Sequence, residues 1–183
     1  ERWKMIQEYK NLLNKNYFDE LNNLVTNPNF AWHLNKNTSH NDGNFMFTHV
    51  LYNDEAGVNS NYYESFLPLI IKAGTVIGKS TLLRAKLNLY TNQGKNITHA
   101  THIDYDETIG EYTSAVFNFT TCDGGTQFEE KFIISEANSM CSFPGPTMHS
   151  GVTQTDTPVR VLLNLNYIDE FKVPPLELEW NDV

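Results

Sequence analysis

The second half of the chain is divided into short runs of β-prone residues, and their spacing limits the folds available to it. Apolar, β-branched and aromatic residues dominate each run, and glycine-containing or polar segments separate them. Strands this short and closely spaced favour a sandwich or a barrel-like pair of sheets. The predicted strands cover 82–90, 112–120, 125–128, 131–134, 140–143, 150–153 and 159–167.

The first 80 residues show helical spacing as well as strand spacing. Over 3–25, apolar residues recur at intervals of three and four, which predicts one amphipathic helix or two short ones. A further helix is predicted over 59–72, with Ser60 or Asn61 as its N-terminal cap. The segment 45–52 between them is β-rich. The predicted fold class is therefore mainly β with N-terminal helices.

One domain is expected, because 183 residues can bury one sizeable core and are few for two. Neither an internal repeat nor a low-complexity linker divides the chain. We predict a single domain over 1–183, with helical support over about 1–80 and a β core over about 82–168. Within it, the Asn-rich segment 35–44 is predicted to be a loop, and Asp123-Gly124-Gly125 a tight turn.

The composition argues against several kinds of partner. A net charge of -9 does not suit a protein that coats duplex nucleic acid, because such binding depends on clustered Lys and Arg. The chain has no apolar run of about 18 residues and no segment typical of a secretory signal. We therefore expect a soluble, cytoplasmic protein without membrane contact, in which Cys122 and Cys141 are reduced core thiols. The sequence leaves open whether it forms a homodimer.

The pattern most informative about chemistry is His102-Ile103-Asp104 followed by His149. Residues two apart on a strand share a face, so His102 and Asp104 would point to one ion while Ile103 turns into the core. Two imidazoles and one carboxylate form the ligand set that holds non-haem Fe(II) on one face and leaves other positions open. An isolated His-x-Asp is nevertheless more often a pair of exposed polar residues.

Arg160, 11 residues after His149, adds a permanent positive charge. A guanidinium binds a carboxylate through two parallel hydrogen bonds, so Arg160 could hold the far end of a dicarboxylate such as 2-oxoglutarate. The alternative is an Arg at a strand end that extends into solvent.

The order of these segments resembles the 2-oxoglutarate- and Fe(II)-dependent oxygenases, in particular their prolyl-hydroxylase-like branch and oxygenases carried by phages of marine bacteria. The resemblance implies a double-stranded β-helix, a jelly-roll-like (cupin-like) pair of sheets that binds metal at one open end. The matching segments are RAKLNLY at 84–90, HID at 102–104, GGTQF at 124–128, PGPTMHSG at 144–151 and RVLLNLNY at 160–167.

The resemblance also implies roles for individual residues. His102, Asp104 and His149 would be the Fe(II) ligands and the catalytic centre, with 2-oxoglutarate and O2 as co-substrates. Arg160 would bind the 5-carboxylate of 2-oxoglutarate. Asp106 and Glu107 are nearby carboxylates, but Asp104 alone of the three would share the strand face of His102.

Polar residues on the predicted strands are further candidates for the cavity. Asn88 and Tyr90 share a face, and the resemblance implies that they hydrogen-bond the co-substrate, although a strand Tyr is often packing material. Asn118, Asn164 and Asn166 would line the cavity, because a buried Asn on a strand needs polar partners. Of these three, Asn118 is also a candidate co-substrate residue.

Three basic residues lie near these candidates in the sequence. Arg84 and Lys86 lie on the strand face of Asn88, where they could bind an acidic substrate or pair with acidic residues at the surface. His99, three residues before His102, is a candidate to support the metal ligands.

The implied function is a dioxygenase that hydroxylates a C–H bond of a protein side chain, such as a prolyl residue, or of a small metabolite, with release of succinate and CO2. The presence of Asp104 favours a hydroxylase over the related halogenases, which leave that position vacant. The alternatives are a non-catalytic jelly-roll binding or structural module and a relative of the nucleic-acid demethylases, which usually carry a second Arg where this chain has Asn166. The likeness to phage proteins suggests a phage-encoded enzyme in a bacterial host.

Overall fold

The computed structural model describes residues 6–39, 42–105 and 109–168. Within these ranges the chain forms two helices and eleven strands. The helices are α1 (Lys15–Val25) and α2 (Tyr63–Ile77). The strands are β1 (Gln7–Tyr9), β2 (His33–Asn35), β3 (Met46–Asn53), β4 (Gly57–Val58), β5 (Thr81–Thr91), β6 (Tyr112–Asn118), β7 (Cys122–Phe128), β8 (Phe132–Ser135), β9 (Ser139–Pro144), β10 (His149–Val152) and β11 (Val159–Ile168).

The strands form two antiparallel sheets. The larger has the order β1-β9-β6-β11-β5-β3-β2, with β4 paired to β3, and the smaller has the order β10-β7-β8. Two isolated bridges, Thr98 with Val152 and His102 with His149, add the segment after β5 to the smaller sheet. From β5 onward the chain thus passes back and forth between the sheets, which confirms the predicted double-stranded β-helix.

The two faces of the larger sheet have different surroundings. On one face, Leu163 and Leu165 of β11 share a buried apolar cluster with Phe66 and Leu69 of α2. On the other face, the alternate residues of β11 are Arg160, Leu162, Asn164 and Asn166, and all four are buried. Since buried polar groups need partners, this row of polar side chains marks the inner face of the double-stranded β-helix as the place for a site.

The predicted strands of the second half are confirmed to within a few residues, but the predicted turn at Asp123-Gly124-Gly125 is wrong. These residues lie inside β7, where the pairing with β8 shifts register between Cys122 and Gly125. A Cβ on Gly125 would lie 2.2 Å from the carbonyl oxygen of Ile133, and one on Gly124 would lie 2.7 Å from that of Val152. The glycines therefore serve the close approach of neighbouring strands rather than a change of chain direction.

The prediction of helix over 3–25 is confirmed only for its second part. Gln7–Tyr9 forms the edge strand β1 against β9, and residues 3–5 lie outside the described residues. The helix α1 begins after Asn14, whose side-chain oxygen accepts a hydrogen bond from the backbone N–H of Tyr17 at 3.0 Å.

The second helix, Tyr63–Ile77, begins and ends later than predicted, and neither Ser60 nor Asn61 is its cap residue. The Ser60 hydroxyl accepts a hydrogen bond from the backbone N–H of Tyr62, just before the helix. Gly78, with a φ of 72°, ends the helix in the left-handed conformation that glycine adopts readily. Among the described helices, none is long and apolar enough to cross a membrane.

Three smaller predictions have clear outcomes. Strand β3 confirms the β-rich segment 45–52 to within a residue. The predicted loop 35–44 has no regular structure after Asn35, while residues 40 and 41 lie outside the described part of the chain. Cys122 and Cys141 are both free and buried, as expected.

Candidate metal centre

His102, Asp104 and His149 meet at one end of the space between the sheets. Each offers a ligand atom, and the three atoms lie within 4.8 Å of one another. The two His residues face each other across an antiparallel bridge, with reciprocal backbone hydrogen bonds of 2.9 and 3.0 Å. The bridge thus brings together two residues that are 47 positions apart in the sequence. Asp104 lies just beyond it, in a bend rather than in a regular strand.

Both imidazoles make the same contact with the backbone. The Nδ1 atom of His102 lies 3.1 Å from the carbonyl oxygen of Ala100, and that of His149 lies 3.0 Å from the carbonyl oxygen of Thr147. A carbonyl only accepts, so Nδ1 carries a proton in each ring, and in the neutral form Nε2 is the nitrogen that offers a lone pair to a metal ion. Burial lowers the pKa of His102, which favours the neutral form that a metal ion requires.

The carboxylate of Asp104 is held by four side chains. Its Oδ1 accepts from the Nη2 of Arg84 at 3.1 Å, and its Oδ2 accepts from Ser114 at 2.7 Å, Asn166 at 2.9 Å and Asn164 at 3.2 Å. Burial alone would raise the pKa of Asp104, but the charge of Arg84 and the hydrogen bonds hold that pKa well below its usual range. The carboxylate is therefore ionised, as a metal ligand must be.

The four side chains that bond to Asp104, which we call the Asp104 clamp, were not all predicted from the sequence. Asn164 and Asn166 were predicted to line the cavity, and both contact Asp104. Ser114 was missed, since nothing in its local sequence distinguishes it from other strand serines. Asn118, a predicted co-substrate residue, lies elsewhere: its amide contacts Ser135 and Ser139, and it is not among the described residues that line the cavity.

Arg160 lies at the other end of the same cavity, paired with Tyr90 across β11 and β5. Its exposure is 0%, and its guanidinium carbon lies 5.7 Å from the centre of the Tyr90 ring. Among the described residues, its one side-chain hydrogen bond runs from Nη1 to the carbonyl oxygen of Val152 at 3.4 Å, and Nε has no partner. A buried guanidinium with so little compensation is a place for an anion.

Two further cavity residues near Arg160 have polar atoms without partners in the described structure. These atoms are the Oδ1 of Asn88 and the Nδ1 of His99. The His99 ring lies 5.1 Å from the Tyr90 ring, so it belongs to this end of the cavity rather than to the metal ligands. Burial raises the pKa of Tyr90, which keeps its hydroxyl protonated and able to donate.

The pairing of β5 with β11 orders the floor of the cavity. Tyr90 pairs with Arg160, Asn88 with Leu162, Lys86 with Asn164 and Arg84 with Asn166. The anion site therefore lies at one end of this ladder and the Asp104 clamp at the other. Arg160 and Asn164 are four positions apart on β11, which is about 13 Å between their Cα atoms.

Size alone would not identify this site. A larger cavity of about 430 Å³ opens beside Tyr112 and Pro144. That cavity contains none of the three candidate ligands. The chemistry of the donor set, rather than volume, therefore assigns the centre.

His99 predicts a pH dependence of stability. Burial lowers its pKa from 6.5 to about 4. As the pH falls from 6.5 to about 4, the unfolded chain takes up a proton on His99 that the folded chain does not. The free energy of unfolding therefore decreases. The loss should be on the order of 2 kcal/mol, with no contribution from His99 above pH 6.5. The free energy of unfolding of the metal-free protein, measured with urea between pH 7 and pH 4.5, should decrease less steeply with falling pH in His99→Gln than in wild type. An identical slope in both proteins would contradict the assignment.

Comparisons with known proteins bear on the fold. No family model matches the chain, and no curated protein matches it. An oxidoreductase of the 2-oxoglutarate-Fe(II) oxygenase family from Burkholderia pseudomallei superposes with a TM-score of 0.69 at 14% identity, over 91% of this chain and 86% of that one. A prolyl hydroxylase from Trichoplax adhaerens, in complex with a hypoxia-inducible-factor peptide, gives 0.64 at 16% identity, over 91% and 84%.

A third solved structure with this fold is that of an epimerase rather than a hydroxylase. The non-haem, α-ketoglutarate-dependent epimerase of nogalamycin biosynthesis gives a TM-score of 0.60 at 13% identity, over 92% of this chain and 80% of that one. At these identities the likeness shows a shared fold. Function must be argued from the site.

Proposed function

We propose that this protein is an Fe(II)- and 2-oxoglutarate-dependent dioxygenase that hydroxylates a C–H bond, with consumption of O2 and release of succinate and CO2. The observation that carries the proposal is Arg160. Its buried guanidinium has no anion near it in the described residues, and it faces the cavity that holds the three-ligand cluster. A dicarboxylate that reaches from Arg160 to a metal ion would satisfy both ends.

The residues present fit the metal ion. Two imidazoles with free Nε2 atoms and one ionised carboxylate supply three ligands to Fe(II) and leave further positions for small molecules. The donor set contains no thiolate, and a thiolate is the ligand that would favour zinc or a softer metal. Arg84, Ser114, Asn164 and Asn166 fix the orientation of the carboxylate before any ion arrives.

The residues also fit the co-substrate. Arg160 can grip the far carboxylate of 2-oxoglutarate through two hydrogen bonds, and Tyr90 beside it supplies a hydroxyl donor. Val116 and Leu162 give the cavity apolar walls between the two ends, and these exclude water from the reacting groups. When bound, Fe(II) and 2-oxoglutarate would supply the oxidative chemistry that side chains lack.

Hydroxylation is the proposed outcome because Asp104 occupies the carboxylate position of the ligand set. The proposed substrate is a protein side chain, such as a prolyl residue, in line with the fold shared with a prolyl hydroxylase, or a small metabolite. A non-catalytic jelly-roll module would leave the unpaired guanidinium of Arg160 without a purpose.

The test uses the anaerobic protein with Fe(II). A 2-oxo acid that chelates Fe(II) through its keto and carboxylate oxygens produces a weak visible charge-transfer absorption. We expect this absorption with 2-oxoglutarate and not with succinate, which has no keto group and serves as the matched control. Folded protein that binds Fe(II) but gives no absorption with 2-oxoglutarate would overturn the proposal. Succinate production stimulated by proline-containing peptides or small metabolites would then identify the substrate.

A further inference from the structure

We infer that the primary substrate carries an anionic group, such as a carboxylate, and that Lys86 binds it. The inference rests on the proposed function and narrows its substrate class. It is carried by the position of Lys86, by the absence of a described anion beside it, and by the charge of the loaded site.

Lys86 lies at the metal end of the cavity. It pairs with Asn164 on β11, and Asn164 contacts Asp104. The Lys86 side chain lines the same cavity as His102, Asp104 and His149. A ligand that approaches the metal ion therefore comes within reach of the Lys86 ammonium.

Asp104, the one carboxylate among the described residues that line the cavity, is already bonded to other side chains. Asp104 receives Arg84, Ser114 and two Asn side chains, and Arg84 is further held by Asn164 at 2.9 Å and by the ring of Tyr105 at 4.9 Å. Across 6–39, 42–105 and 109–168, Lys86 makes no side-chain hydrogen bond or ion pair. The two cations of β5 thus differ: Arg84 belongs to the Asp104 clamp, whereas Lys86 has no anionic partner among the described residues.

Surface pairing does not account for Lys86, because its side chain is mostly buried. Burial, followed by repulsion from Arg84, lowers its pKa from 10.5 to about 8. At pH 7 the ammonium is therefore still mainly charged. A largely buried cation without a described partner has lost part of its hydration, and a bound anion would compensate for that loss.

The charge of the loaded site favours an anion. With metal and co-substrate bound, the two positive charges of Fe(II) and the two negative charges of 2-oxoglutarate cancel, and the charge of Asp104 balances that of Arg84. Arg160 and Lys86 then remain positive, and no other carboxylate is found among the described residues that line the cavity; Asp106 and Glu107 lie outside those residues. In a cavity of low dielectric, such an excess attracts an anionic substrate and disfavours a cationic one.

The 1-carboxylate of 2-oxoglutarate is the rival ligand for Lys86, so the first measurement tests it. Zn(II) replaces Fe(II), and calorimetry measures 2-oxoglutarate affinity for wild type, Lys86→Met and Lys72→Met. Lys72 is exposed on α2, so its variant makes the same change of net charge away from the cavity. We expect similar affinities in all three. A loss of about tenfold or more for Lys86→Met alone would assign Lys86 to the co-substrate and overturn the inference.

The second measurement compares an acid with its neutral amide on the same scaffold. N-acetyl-L-proline and N-acetyl-L-prolinamide, and the corresponding alanine pair, are titrated by ligand-observed NMR against the Zn(II)–2-oxoglutarate complex. In wild type and Lys72→Met the acids should bind about tenfold tighter or more. Lys86→Met should abolish this preference, and Lys86→Arg should keep it.

Two results of the second measurement would overturn the inference. One is equal binding of acid and amide to wild type, and the other is a preference for the acid that survives in Lys86→Met. Failure of the proposed function gives a different result, in which wild type does not bind 2-oxoglutarate. The acid–amide comparison with the Zn(II) protein alone would then still decide whether Lys86 binds anions.

Discussion

Replacement of Arg160 by methionine is expected to abolish 2-oxoglutarate binding while leaving the ligand-free protein at least as stable as wild type. The loss should be about 100-fold or more in affinity, because truncating one partner of a buried charge pair costs about 2–5 kcal/mol. The stability effect has the opposite sign. In the free protein the guanidinium is fully buried and makes one long hydrogen bond within the described part of the chain, so an apolar side chain of similar length removes an uncompensated charge. The gain should be about 1–3 kcal/mol.

Calorimetry with the Zn(II) protein measures the first effect, and urea unfolding without ligand measures the second. Arg84→Met is the matched control, because Arg84 is also a largely buried Arg but is bonded to Asp104 and Asn164. That variant should lose stability rather than gain it. If Arg160→Met lost stability and kept its 2-oxoglutarate affinity, the guanidinium would have a structural role and the proposed anchor would be wrong.

Replacement of Asp104 by alanine is expected to weaken Fe(II) binding by at least about 100-fold, since loss of a charged ligand exceeds the 10–100-fold effect of losing a residue that only orients one. The variant should also lose about 3–5 kcal/mol of stability. The reason is that Arg84, Ser114 and Asn166 all donate to this carboxylate, and its removal leaves a buried cation and buried donors without an acceptor.

Competition with a chromophoric chelator measures the metal affinity, and urea unfolding measures the stability. Asp104→Asn separates the two effects, because the amide keeps the size of the side chain and part of its hydrogen bonding but removes the charge. Asp42→Asn is the control outside the cluster: hydrogen bonds from Thr38, Asn44 and Ala100 lower the pKa of Asp42 to about 2 despite partial burial. It should leave Fe(II) affinity unchanged. Normal Fe(II) affinity in Asp104→Ala would place the carboxylate ligand elsewhere.

Local spacing predicted the β core well because each strand has its own signal. A buried strand such as Val159–Ile168 is a continuous β-prone run, and polar turn residues precede it. The same reasoning failed for Gln7–Tyr9, since three residues cannot establish a period of two against one of 3.6. Pairing with Met140, Cys141 and Ser142 of β9 decides that segment, and no short-range pattern contains this information.

The glycine pair in β7 failed for a related reason. Asp-Gly-Gly is a frequent turn sequence, and its local preference is real. Gly125, however, is packed against the backbone of Ile133, so the contact between strands overrides the turn preference.

The candidate ligands could be named from residue types and order, because metal chemistry requires particular donors whatever the fold. The choice between Arg84 and Lys86 could not, since both lie on the same face of the same strand. Arg84 reaches Asp104 and Asn164, which are 20 and 80 positions away, and that contact leaves Lys86 without an anion among the residues that the structure describes. Residue types and their spacing therefore set the fold class and the possible chemistry. The register of β5 against β11, a long-range property, determined which cation bonds to the carboxylate of the candidate metal centre and which has no anionic partner among the described residues.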